Sequence, residues 1–415
     1  MRPINRRCIR SWMFLCLSGV FIQSLDAQQP RVAFVTSVTG TADLGSWPEA
    51  GSAVGAAAGD EICRTLATAA TLPNANSFVA WLSTSTDDAY CRLHGFTGKK
   101  SANCGQATLP VNGGPWVQVD GLPFSESIDR LLTTEFLVYY PLAADENGNS
   151  VQGISFTGTS GRGTLYPDGI TCTDWTSTAA AAFPQIGRTA RGSWGWTSAG
   201  GAGCDSAQHL YCFEPGSGPA LTPPNENGAI VFLTSVDGTA DLGSWPDADS
   251  KTGLAAADAI CQARAAAGSL NDPSSFKAWI SDSTTDAKDR FLDDGPRVRL
   301  DGVRVAESKS ELLDSLLDSS INVTELGTYF GNSGVWTATT TAGVSSGDSC
   351  SDWTSASSAS STQTGSAWAT DVDWTASFTT DCSFAFAKLY CFEDTVILAD
   401  GFESGDTTGW SSSSP

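Results

Sequence analysis

Carboxylates recur in this chain at matched places, and pairs of acids can cleave glycosides. Asp43 and Asp241 each stand in the same nonapeptide, GTADLGSWP, at 40–48 and again at 238–246. Asp60 and Asp258, Asp120 and Asp301, Glu126 and Glu307, and Asp174 and Asp352 also recur. Most have a structural reading. Asp60 and Asp258 fall in the first half of an expected helix, where the dipole favours an acid. Asp120 and Asp301 are hairpin-turn residues, Glu126 and Glu307 lead into a second helix, and Asp174 and Asp352 stand in a Cys-x-Asp-Trp turn. Asp43 and Asp241 are the least explained. Such an Asp caps a turn through its own backbone or contacts a ligand, and these two are the candidate ligand carboxylates.

Other chemistry is thinly represented. His94 and His209 are the only histidines, and both precede the second nonapeptide. A histidine mechanism would therefore serve one half alone. No Cys-x-x-Cys pair is present, so zinc is not expected. The expectation is no enzyme, no cofactor and no metal site. Tryptophans recur too: Trp47 and Trp245, Trp81 and Trp279, Trp175 and Trp353, Trp196 and Trp374. Repeated tryptophans read as core anchors. Trp194, Trp336 and Trp368 have no tryptophan partner and lie near loop-rich segments. They are candidates for stacking on a sugar ring or a protein partner.

The elements that hold these residues come in two copies. The nonapeptide extends to VAFVTSVTGTADLGSWP (32–48) and IVFLTSVDGTADLGSWP (230–246). The match continues through Cys63 and Cys261, SFVAW and SFKAW, CTDWTS and CSDWTS, and LYCFE at both ends. Copy one carries an insertion that holds Cys91 and Cys104. Each copy reads as an opening strand, an Ala-rich helix near 53–70 or 252–267, a short buried strand, an Asp-Gly hairpin and a second helix. Long Gly/Ser/Thr-rich stretches and a closing strand follow. Ser308 and Glu311 form an expected capping box. A Pro/Gly-rich linker, 215–228, separates the copies.

Residues 1–27 read as an export signal, with Arg2, Arg6, Arg7 and Arg10 before an apolar run and Ala27 at the cut. The run is too short to span a membrane. The chain has a net charge of −22, which repels nucleic acid, heparin-like glycans and anionic lipid. Cys8 and Cys16 fall in the signal and ten cysteines remain. An even number in an exported chain favours disulfides. The four in copy two, Cys261, Cys350, Cys382 and Cys391, allow three pairings. One of them, helix to closing strand and loop to loop, would join the ends of the domain. Copy one would repeat it with Cys63–Cys212 and Cys172–Cys204, and Cys91–Cys104 would close the insertion.

The order AAADAIC, FKAWIS, CSDWTS, Cys382 and LYCFE resembles the C-type-lectin-like fold. It is closest to the endostatin-like branch and to a bacterial secreted domain of unknown function. The resemblance implies an α+β fold with two tandem domains, 30–214 and 229–394, each with two helices and twisted antiparallel sheets. It also implies outer cysteines paired with outer and inner with inner. The Glu-Pro-Asn and Trp-Asn-Asp motifs of calcium-dependent lectins are missing, as are endostatin's histidines and arginine clusters, so no glycan or metal site is carried over. The tail, 395–415, resembles a DGFESGD…W ending of exported bacterial proteins. The expected function is recognition or adhesion outside the cell or at its surface. The ligand would be an unknown glycan or protein, and two linked modules would gain avidity. The alternatives are a structural envelope-associated protein and an enzyme of unrecognised type.

Overall fold

A computed structural model describes residues 30–394, apart from positions 134, 293 and 315. The expected signal, 1–27, and the tail, 395–415, lie outside the described residues. Copy one runs through β1 (Arg31–Val35), α1 (Gly55–Ala69), β2 (Val79–Ala80), β3 (Trp116–Gln118), β4 (Pro123–Ser125), β5 (Ile154–Phe156), β6 (Ile186–Arg188) and β7 (His209–Phe213). The first and last strands lie side by side and antiparallel, with Phe34 opposite Cys212. The sheet order is β4-β3-β1-β7-β5-β6, with β2 also on β7. Alternation sends side chains of one strand to opposite faces. Phe34, Leu210 and Cys212 join the apolar cluster under α1. Val35, Tyr211 and Phe213 join Trp81, Trp116 and Trp196 on the other face.

Copy two repeats the plan with β8 (Ala229–Leu233), α2 (Gly253–Ala267), β9 (Phe276–Ala278), β10 (Arg297–Val298), β11 (Arg304–Ala306) and the closing strand Tyr390–Glu393. Its loop region carries a separate three-stranded sheet, Gly334–Trp336, Ser361–Ser366 and Phe378–Asp381. The five disulfides are Cys63–Cys212, Cys172–Cys204, Cys91–Cys104, Cys261–Cys391 and Cys350–Cys382. The result is a mixed α+β fold in two disulfide-bonded halves.

Two local expectations change. Ser308 Oγ accepts from Glu311 N at 3.4 Å, as a cap should. The Glu311 carboxylate, however, takes the N–H of Glu307 rather than that of Ser308. The acids Asp60 and Asp258 are not simply dipole partners. Asp60 accepts from Ala80 N at 2.9 Å and pairs with Arg92. Asp258 accepts from Ala278 N at 3.0 Å and pairs with Arg290. Each therefore ties its helix to the short strand beside it.

The halves are locked to each other. Arg191 faces Ala369 in an antiparallel bridge. Gly192 N donates to Trp368 O at 2.7 Å, and Thr370 N donates to Ala190 O at 3.1 Å. On the register that aligns Cys172 with Cys350, Gly192 matches Thr370 and Ala190 matches Trp368. The two bonds exchange when the copies are exchanged, so the junction has a local two-fold axis. Arg191 breaks that symmetry. Its side chain is 5% exposed, and the guanidinium reaches Asp371 at 2.6 Å and Asp373 beside it. Leu137, Tyr139 and Tyr140 pack on Val303 and Tyr329 across the same junction. The linker is fastened as well: Gly114 N donates to Gly216 O at 2.8 Å, and Glu226 N to Gly302 O at 2.9 Å.

Removing the guanidinium would leave two carboxylates unpaired at this junction. Arg191→Ala should cost about 2–5 kcal/mol. Calorimetry should then resolve two unfolding transitions where the parent chain gives one. A single transition at an unchanged temperature would show that the clamp does not couple the halves.

Candidate functional site

The Cys-x-Asp-Trp turns are the most strained backbone that the copies share. Cys172, Thr173, Asp174 and Trp175 have φ of 52°, 56°, 52° and 68°, and Cys350, Ser351, Asp352 and Trp353 have 53°, 55°, 52° and 65°. Four successive side-chain-bearing residues thus turn left-handed, at about 1–2 kcal/mol each. Several bonds together hold the turn. Cys172 is bridged to Cys204. Trp175 Nε1 donates to Ser83 O at 2.9 Å. Ser85 donates to Asp174 twice, from N to Oδ1 at 2.7 Å and from Oγ to Oδ2 at 2.5 Å. Thr171 Oγ1 donates to Oδ1 at 3.0 Å. Copy two repeats the set with Ser281, Ser283 and Ser349. Gly55 must be glycine beside this turn: its φ is +61°, and a Cβ would sit 2.9 Å from Asp174 O.

Each turn borders a shallow cavity, about 300 Å³ in copy one and about 470 Å³ in copy two. Partial burial pushes the Asp174 carboxyl up, but the bonds from Ser85 and Thr171 outweigh it and hold it below the usual carboxylate range. Bonds from Ser349 and Ser283 do the same for Asp352. A carboxylate with its lone pairs so committed is a staple, not a general acid.

Asp43 and Asp241 are half-exposed at the start of the turns Leu44–Ser46 and Leu242–Ser244, and neither side chain makes a capping bond. Their main-chain oxygens accept instead, from Ser46 Oγ and Ser244 Oγ, each at 2.6 Å. The repeated nonapeptide is a latch. Gly40 exchanges hydrogen bonds with Gln208, and Ala42 N donates to Cys204 O at 2.9 Å, so the segment joins the opening strand to the closing one. Trp47 folds back to donate to Thr41 O at 2.9 Å.

One of the candidate tryptophans is corrected. Trp336 is fully buried. It donates to Gly238 O at 2.9 Å and packs on Trp353. Its counterpart in copy one is Phe156, so the position is an aromatic core site in both copies and unavailable for stacking. Trp368 lies at the junction, with its ring 6.0 Å from that of Trp194 and its carbonyl bonded to Gly192.

Trp194 is half-buried and packs edge-on against Phe136, with ring centres 5.0 Å apart. With Phe136, Tyr166, Pro167 and Arg162 it lines a groove of about 430 Å³. Where copy one has Arg162, Tyr166 and Trp194, copy two has Ala342, Ser346 and Val372. The groove's aromatic lining is thus particular to copy one. Sequence reading missed Phe136, Arg162 and Tyr166 because it compared the copies for unshared residues among tryptophans alone. The aligned differences carried the signal.

The histidines have structural partners: the His94 ring is tilted against that of Tyr90 with centres 4.8 Å apart, and His209 Nδ1 is 2.6 Å from Thr36 O. The stretch 343–347, GVSSG, has the spacing of a nucleophile elbow. Ser345, however, sits in a turn bridged to Thr339 rather than between a strand and a helix. Among the described residues, no group of His, Cys, Asp and Glu could hold a metal ion, and no helix is long and apolar enough to cross a membrane. In comparisons with known proteins, no family and no curated protein matches this chain.

The depressed Asp174 carboxyl gives a signed pH dependence. A carboxylate whose folded pKa lies below its unfolded value adds stability above the unfolded value and loses it as pH falls through the folded one. Asp174→Asn should therefore destabilise on the order of 1 kcal/mol at pH 7, a figure lowered by partial solvent exposure. Denaturant unfolding should show that gap unchanged down to about pH 4 and closing below it. A gap that closes between pH 7 and 5 would contradict the assignment.

Proposed function

We propose that the protein is an exported, non-catalytic binding protein built on two C-type-lectin-like domains, 30–214 and 229–394. Several features support the scaffold. First and last strands pair within each half, the long helix is bridged to the last strand, and an inner disulfide staples the long loop region. Loops on a rigid frame are where binding residues concentrate.

The observation that carries the reading is the groove formed by Phe136, Tyr166, Trp194 and Arg162 in copy one. Aromatic side chains offer flat apolar faces with a polar edge. Such a groove fits the C–H faces of a saccharide, with Ser160, Thr164 and Arg162 in reach of its hydroxyls. The chain's net charge of −22 disfavours a polyanion, so the ligand is a neutral glycan. Asp43 and Asp241 recur in both copies and are not among the residues that line this groove.

A glycan array probed with calcium and with EDTA tests this. Neutral glycans should be retained in both conditions. Trp194→Ala and Tyr166→Ala should each weaken binding roughly tenfold or more, as loss of an aromatic anchor does. A signal abolished by EDTA, or one indifferent to both substitutions, would exclude the groove as the site.

A further inference from the structure

The two-fold junction places one filled site beside one open site. In copy two the Arg299 side chain is wholly buried. Its Nε and Nη2 donate to Asp301 at 3.0 and 2.6 Å. Its Nη1 donates to Ser319 Oγ at 2.9 Å, Ser320 O at 3.1 Å and Asn322 Oδ1 at 3.1 Å. Nη2 also crosses to Val138 O of copy one at 3.3 Å. Tyr329 Oη donates to the same Asp301 at 2.6 Å.

The register of copy one against copy two is fixed here by matched backbone bonds. Gln118 N donates to Leu122 O as Arg299 N does to Val303 O, and Tyr139 N to Phe124 O as Asp318 N does to Val305 O. The counterparts of Arg299's five partners are therefore Asp120, Tyr140, Pro141, Ala143 and Leu317. All five line one cavity of about 240 Å³ between the halves. Arg299's own counterpart is Gln118, whose Oε1 accepts from Ala143 N and Ala144 N at 2.9 and 3.0 Å. Ser150, also in the lining, stands where copy two has Tyr329. Copy one thus keeps the carboxylate and the two main-chain carbonyl positions, has Tyr140 and Ala143 in place of the Ser319 hydroxyl and the Asn322 amide, and lacks the arginine. Asp120 is exposed, bonded only to Leu122 N at 3.0 Å, and has no ion-pair partner among the described residues. Asp318, on the same lining, is held by Arg304 at 2.6 Å.

We infer that this cavity is a binding site for a guanidinium group supplied in trans. The ligand's cation pairs with Asp120 as Arg299 pairs with Asp301, and its remaining N–H groups face the carbonyls of Pro141 and Leu317. Planar, charge-assisted pairing of this kind selects guanidinium over ammonium. The acidic chain raises the local concentration of cations at the cleft. An arginine side chain of a partner polypeptide and a small guanidino compound share this chemistry.

Calorimetric titration of the full chain tests it. N-acetyl-argininamide should bind with one site per chain, and N-acetyl-citrullinamide, its neutral isostere, roughly tenfold or more weaker. A blocked Ala-Arg-Ala tripeptide against agmatine separates the two sources. Asp120→Asn should abolish binding. Gln118→Arg should abolish it too, because the new side chain fills the cavity, and should not lower the melting temperature. Tyr166→Ala should leave binding intact, which separates this site from the glycan groove. No binding by the parent chain, or equal binding by both junction variants, overturns the inference.

Discussion

Within each half, the last strand lies antiparallel to the first, and the long helix is bonded to that last strand through sulfur. In copy one the bridge joins residues separated by 149 positions, in copy two by 130. Closing loops of that length restricts the unfolded chain by about 5 kcal/mol each on a chain-entropy account. The inner bridges, with a separation of 32, contribute about 3–4 kcal/mol. With the ends of the copy pinned at mid-sheet, everything between them must leave and return on the same frame. The long polar stretches therefore need little regular structure of their own. They are held by staples such as Asp174 on Ser85 and Trp175 on Ser83.

That frame tolerates divergence wherever the staples do not reach. The copies agree in the latch, the helix, the strained turn and the buried aromatics. They differ at the junction and in the loop beside Trp194. A two-fold contact between identical copies would force both sides to match. Between diverged copies it does not. Arg191 can clamp Asp371 and Asp373 because its own counterpart is Ala369. The same freedom lets Arg299 fill one cavity while Gln118 leaves the other open.

Local patterning made the strands, the Ala-rich helices, the Asp-Gly hairpins and the cysteine order legible in the sequence. These depend on neighbours a few residues apart, or on one covalent rule. The left-handed turn was not legible, since Cys-Thr-Asp-Trp contains no glycine to announce a positive φ. Tertiary bonds impose it. Trp336 was misread because its partner in copy one is Phe156, and a search for repeated tryptophan does not see an aromatic exchange. Asp60 was assigned to the helix dipole because nothing local announces that Arg92 faces it. The junction was invisible for a stronger reason: its contacts join Ala190 to Thr370 and Tyr139 to Ser319, and each strand of that contact looks like an ordinary loop alone.

The junction also changes what duplication does for binding. Two modules on a loose tether gain from effective concentration, set by linker length. Here residues 216–218 are bonded to Gly114 and Glu226 to Gly302, so the connecting chain is fastened at both ends. Arg191 and the tyrosine cluster then fix one half against the other. A fixed pair cannot adapt its spacing to its target. What it gains is a cleft that neither half possesses alone, walled by Tyr140 from one copy and by Leu317 and Asp318 from the other. Duplication followed by locking therefore adds a composite surface between the copies, rather than doubling a surface that either copy already had.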